Sequence, residues 1–196
     1  MTFVALEGFS GTGKTSLAVR MEGMGWLRLQ ESAHAVSRDV PVADRADTAA
    51  DYSLLGATMT YSSIIASQRQ ARNIVSEGYL TSDLAYAKIR MELGKSTAYP
   101  RMLSMVKAML SEPTLRPDLY IRLKAGNETI NTRQLGKDDR EKNLTEFFRT
   151  RYYTALEEIH LELDEMTVET VETDSDVDAT LKVVVAVLEK RRVVTA

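Results

Sequence analysis

Residues 3–16 read Phe3-Val4-Ala5-Leu6-Glu7-Gly8-Phe9-Ser10-Gly11-Thr12-Gly13-Lys14-Thr15-Ser16: an apolar run, a Gly-x4-Gly-Lys-Thr loop, then a helical pattern. Each fixed position has its own physical task. Gly8, Gly11 and Gly13 let the chain turn with positive φ and bring bare backbone N–H groups against anionic oxygens. Lys14 supplies a point charge for β- and γ-phosphates, and the Thr15 hydroxyl can ligate Mg²⁺. The helix that starts near Gly13 aims its positive dipole end at the same anion. Ser10, Thr12 and Ser16 complete the set of expected nucleotide contacts, so the stretch predicts a site for the phosphates of a nucleotide such as ATP.

Working outward, apolar periodicities of two and of 3.6 alternate along the chain. A helix is predicted over residues 14–24, with Leu17, Met21 and Met24 on one face, and a short strand over 26–30. Glu31 then lies at that strand's C-terminal edge, where open α/β sheets bind ligands. Residues 32–47, around Pro41, carry no regular pattern. A long helix over 51–71 is expected to bury Leu54, Tyr61 and Ile65, and a strand over 73–76 ends at Glu77-Gly78. Helices are predicted over 83–93 and 101–111, broken by Pro113 and Pro117. A strand over 119–123, helices over 126–133 and 139–163, and a strand over 166–173 follow. A final helix carries Val177, Leu181, Val184, Val185 and Leu188, capped by Asp174 or Ser175. Strands alternating with helices imply one α/β domain, 1–196, built on a mostly parallel, about five-stranded sheet with helices on both faces.

Composition narrows the function classes. A length of 196 residues, with 44% hydrophobic and 27% charged side chains, suits one folded core. Zero cysteines exclude disulfides, thiolate metal sites and a cysteine nucleophile, and only two histidines argue against a His-rich metal centre. A net charge of −3 with a pI near 5.5 disfavours an extended nucleic-acid surface, while a local phosphate site remains compatible. No apolar stretch is long enough to span a bilayer, and the run leading into the loop is too short for a secretory leader. A cytoplasmic protein with a small-molecule partner is expected, without membrane or extended nucleic acid. His34 reads as a loop histidine. The Met-rich face of residues 102–109 reads as core packing, with a homodimer contact as the alternative.

Three further segments carry a family resemblance. Phe3 to Ser16, including Glu7, resembles the start of thymidylate kinases and the related deoxynucleoside kinases. Tyr79-Leu80-Thr81-Ser82-Asp83-Leu84-Ala85-Tyr86 is similar in spacing to the thymidylate kinase signature Asp-Arg-Tyr-x-x-Ser-x-x-Ala-Tyr. Arg116-Pro117-Asp118-Leu119, followed by Glu128, Arg133, Asp139 and Arg140, resembles that family's Pro-Asp-Leu strand and arginine-bearing lid. The Asn-Lys-x-Asp segment by which regulatory GTPases read guanine is absent from the sequence.

The resemblance implies a three-layer P-loop NTPase fold with a lid at about 133–142, and a Mg-ATP-dependent phosphotransferase acting on a nucleoside monophosphate or nucleoside. It implies Lys14, Glu31, Glu77 and Arg133 as catalytic residues, with Arg133 backed by Lys137 and Arg140 in the lid. Glu31 would be the base for the attacking hydroxyl, and Thr15 and Glu77 the metal ligands. Tyr79 and Tyr86 would line the acceptor pocket. One departure bears on the acceptor. Gly78 stands where the family has an arginine that holds the acceptor phosphate, and residues 57–61 lack the arginine common in the preceding helix, leaving Arg69 and Arg72 as substitutes. A non-phosphorylated hydroxyl compound, or a non-metabolic nucleotide switch, therefore stands as the alternative.

Overall fold

The computed structural model describes residues 1–31, 48–134, 146–164 and 166–191. Its elements, in chain order, are β1 (Phe3–Glu7), α1 (Lys14–Gly23), β2 (Leu27–Leu29), α2 (Thr48–Gln68), β3 (Ile74–Glu77), α3 (Leu80–Glu92), α4 (Tyr99–Leu110), β4 (Leu119–Lys124), α5 (Asn127–Gln134), α6 (Glu146–Glu162), β5 (Val168–Glu172) and α7 (Val177–Lys190). The five strands pair in parallel in the order β2-β3-β1-β4-β5. This is a three-layer α/β P-loop NTPase fold.

β1 sits at the centre of the sheet, and all five of its residues are buried. Its side chains alternate between two cores. Phe3 and Ala5 face the layer holding α2, α3, α4 and α6, while Val4 and Leu6 face α1 and α7. A parallel strand covered on both faces needs apolar residues at every position, which explains the unbroken run Phe3 to Leu6. Asp118 aligns β4 with β1, since its Oδ2 accepts from the Phe3 amide at 2.7 Å and its Oδ1 from Arg69 Nη2 at 2.6 Å.

Element boundaries moved by a few residues from the sequence expectation. α3 begins at Leu80, three residues before the predicted start, and its first turn is buried. α2 buries Asp51, Leu55, Thr58 and Ile65, so Leu55 replaces the expected Leu54 on the inner face. Asp176 caps α7 by accepting from the amides of Asp178 and Ala179 at 2.9 and 2.8 Å; neither Asp174 nor Ser175 does so. Asp174 is engaged by the Gly126 amide at 2.8 Å. Met102 is fully buried and Met105 and Met109 pack on the same core, as the core-packing reading expects. His34, Lys137 and Arg140 lie outside the described residues. Among the described residues no helix is long and apolar enough to cross a membrane.

Candidate active site

The loop between β1 and α1 owes its shape to local constraints. Gly11 and Gly13 have φ of 89° and 91°, where a side chain would strain the backbone. A Cβ at Gly8 would stand 2.5 Å from Thr12 Oγ1 and 2.8 Å from the Leu123 carbonyl, so only glycine fits. Thr12 closes the turn with its amide and hydroxyl on the Phe9 carbonyl, at 3.2 and 2.8 Å. Thr173 Oγ1, beyond the end of β5, donates to the Thr12 carbonyl at 2.9 Å.

Lys14 is buried, and its Nζ donates to the Gly8 carbonyl at 2.6 Å. Glu31 brings Oε2 to 3.7 Å from the same Nζ. Thr15 Oγ1 donates to Glu77 Oε2 at 2.5 Å, and Arg28 Nε donates to Glu77 Oε1 at 2.5 Å. Glu77, at the end of β3, is thus a buried carboxylate held between the first turn of α1 and β2. Glu7, Glu31 and Glu77 all stand at or just past the C-terminal ends of parallel strands, the edge where such sheets bind ligands. Ser16 is exposed at the start of α1.

Arg133 lies in the last turn of α5, next to the loop. Its Nη1 reaches the Gly11 carbonyl at 3.4 Å, and its Nη2 donates to the carbonyls of Thr173 and Ser175 at 2.5 and 3.1 Å. The guanidinium therefore bridges the glycine loop and the turn after β5.

A second cluster forms between α2 and α3. Thr58 Oγ1 donates to Asp83 Oδ2 at 2.5 Å, and two turns away on each helix Arg90 binds Asp51 Oδ1 through Nε, at 2.6 Å, and through Nη2. Among the described residues Asp51 Oδ2 is buried and has no hydrogen-bond partner. Burial, reinforced by the carboxylates of Glu31 and Asp51, pushes the Asp83 carboxyl up to about 7 against the Thr58 bond and the Arg90 charge. Tyr86 packs between Phe148 and Tyr152, and burial with the Glu31 charge drives its phenol well above the usual range. Tyr79 belongs to the core, edge-on to Phe3 at 5.1 Å with its hydroxyl on the Leu115 carbonyl at 3.1 Å. Gly78 has φ of 74°, and a Cβ there would lie 3.8 Å from Glu31 Cγ.

Arg69, suggested by the sequence as a substitute acceptor-site cation, is engaged elsewhere. Its guanidinium binds the carbonyls of Thr114 and Arg116 and the Asp118 carboxylate. Thr58, Arg90, Asp51 and Arg28 escaped the sequence reading. Asp83 and Tyr86 share one quoted signature, but no spacing rule pairs residue 58 with 83 or 51 with 90, because those contacts cross between helices.

No family model and no curated protein matches the sequence. Solved structures do match. The deoxyadenosine kinase of M. mycoides with bound dATP superposes with a TM-score of 0.72 at 16% identity, covering 95% of this chain and 99% of that one. The same enzyme with bound dCTP gives 0.64 at 15% identity, over 96% and 99%. Thymidylate kinase from Candida albicans gives 0.70 at 17% identity, over 98% and 92%. The chain has the fold of these P-loop kinases. Within that P-loop kinase fold, the glycine loop and Glu31 occupy the same rim of the sheet, with the α2–α3 cluster beside them.

Proposed function

We propose that this chain is a P-loop kinase that transfers the γ-phosphoryl group of ATP to the hydroxyl of an unphosphorylated nucleoside. One observation carries the reading: the Glu31 carboxylate lies 3.7 Å from Lys14 Nζ, so a candidate base adjoins the loop lysine. A general base must come within hydrogen-bond reach of the proton it takes, and Glu31 emerges at the strand edge where the acceptor would meet the donor.

The loop amides and Lys14 would hold the donor phosphates. The hydroxyl oxygen forms its bond to the γ-phosphorus as the bond from that phosphorus to the β,γ-bridging oxygen breaks. ADP leaves with the electron pair, and the hydroxyl proton passes to Glu31. Lys14 offsets charge on the phosphoryl oxygens during transfer. Thr15 and Glu77 present two hard oxygen donors side by side, a set that would suit Mg²⁺. When bound, that ion would neutralise phosphate charge. Arg133, engaged with three carbonyls, would brace the loop.

Two features favour a neutral acceptor over a monophosphate. The family arginine is replaced by Gly78, and Arg69 is bound to Asp118 and backbone carbonyls. Around Asp83 the acidic groups Glu31 and Asp51 stand with the cation Arg90. A phosphate there would be repelled, whereas hydroxyl and amine donors would be welcomed by the buried carboxylates. Tyr86 would form an apolar wall of the pocket, and Tyr79 would support it from the core.

A screen of nucleosides and their monophosphates for acceptor-dependent ADP release tests the reading. Phosphorylated product from a nucleoside, and little from its monophosphate, is expected. Monophosphates as the better acceptors would overturn the neutral-acceptor assignment, and a turnover no acceptor can raise would overturn the kinase.

A further inference from the structure

Directly before the glycine loop, the chain places a carboxylate where apolar packing would be expected. Glu7 is fully buried. Thr81 Oγ1, from the first turn of α3, donates to its Oε1 at 2.7 Å. His160 Nε2, from α6, lies 2.8 and 2.9 Å from its two oxygens. Arg122 Nε, from β4, stands 3.7 Å from Oε2. Helices α3 and α6 and strand β4 thus converge on one side chain of β1.

The imidazole's role in this pair follows from the geometry. A nitrogen facing both oxygens of a carboxylate carries the proton, so Nε2 is the donor. Among the described residues His160 Nδ1 is buried with no hydrogen-bond partner, and the Tyr120 ring packs edge-on at 4.9 Å. On its other side the imidazole borders a cleft of about 510 Å³ between α6 and the start of β5. Among the described residues, Glu7 is thus the one hydrogen-bond partner of that ring.

A buried anion beside a site for phosphates is costly, and replacement by an apolar residue would avoid the desolvation penalty. Its position supplies a physical reason for it. The next residue is Gly8, whose carbonyl receives Lys14 Nζ at 2.6 Å and whose surroundings leave no space for a Cβ. Holding the Glu7 side chain fixes the orientation of the peptide that leads into the loop.

We propose that His160 is a positioning residue for the phosphate loop: through Glu7 it orients the Gly8 carbonyl and hence Lys14, linking α6 to the donor site. The proposal rests on the reading that this loop holds ATP, and it concerns ATP binding, separate from the acceptor.

The test titrates the full chain with a fluorescent ATP analogue and Mg²⁺, alongside thermal melts, at a temperature where every variant is folded. His160→Ala is expected to weaken ATP binding about tenfold, since Glu7 loses a charge-assisted donor. His160→Gln, whose amide nitrogen can replace Nε2, is expected to return affinity to within about threefold of the parent. Arg151→Ala serves as the stability control. It removes the ion pairs of Arg151 with Glu92 of α3 and with Glu158 within α6, and should lower Tm without changing ATP affinity. Should His160→Ala fail to fold, His160→Asn takes its place, because its shorter amide cannot reach Glu7. Unchanged ATP affinity in His160→Ala, or equal affinity in the Gln and Asn variants, overturns the proposal. A parent protein that binds ATP and phosphorylates no acceptor would sink the kinase while leaving this inference to stand or fall on the titration.

Discussion

The proposed donor and acceptor ends of the site are built differently. At the donor end, Gly8 to Ser16 are contiguous, and the decisive contacts run within the loop: Thr12 to Phe9, and Lys14 to Gly8. At the acceptor end, Glu31, Asp51, Thr58, Asp83, Tyr86 and Arg90 come from three separate stretches, joined by contacts such as Thr58–Asp83. A contiguous loop ties phosphate binding to backbone amides that any sequence with the right glycines presents. A cluster drawn from two packed helices can change its chemistry one side chain at a time. On the proposed reading, the comparison teaches that specificity would be held where the chain is discontinuous.

The comparison can be broken most severely from the donor side. Lys14→Ala should lower turnover roughly 10³-fold and weaken ATP binding with every acceptor, measured by ADP release and calorimetry. Glu31→Gln should break the acceptor side alone. Its turnover should fall about 100-fold while ATP affinity stays near that of the parent, since the amide keeps the shape and loses the base. Equal losses in turnover and ATP affinity would erase the proposed division between the two ends.

Asp83 sharpens the comparison through pH. Its folded-state carboxyl is raised from 3.8 to about 7, so the folded protein keeps a proton that the unfolded chain releases. The resulting stability is complete below about pH 4 and is lost as pH rises through about 7. Asp83→Asn cannot ionise, so it should gain about 4 kcal/mol relative to the parent between pH 4 and pH 8, read from denaturant melts at both values. A gap that is constant with pH would show that Asp83 is not held protonated. The smallest effect is expected at Gly78. With φ of 74°, Gly78→Ala should cost about 1 kcal/mol in stability and leave ATP affinity unaltered. The same strain burdens any arginine restored at this turn.

Much of this architecture is legible in the sequence. The strand–loop–helix start, the five strands and the parallel sheet follow from periodicity and glycine chemistry, both of which act over a few residues. The α3 start was missed because Leu80, Thr81 and Ser82 are buried by tertiary packing that local pattern does not register. Arg69 is a candidate site cation by sequence alone, but its bonds to Thr114, Arg116 and Asp118 hold it elsewhere. Tyr79, grouped with Tyr86 by the signature, turns into the core against Phe3. Sequence spacing identified both rings without distinguishing their environments.

By itself, the sequence determined the phosphate loop and the layered order of the elements, because backbone turns and amphipathic periods are written in neighbouring residues. Only the tertiary structure decided that Glu31 stands beside Lys14, that Asp83 is crowded by Asp51 and Arg90, and that His160 reaches Glu7. Those contacts join residues far apart in the chain. Their strength depends on distance and burial, which arise only once the helices have packed onto the sheet.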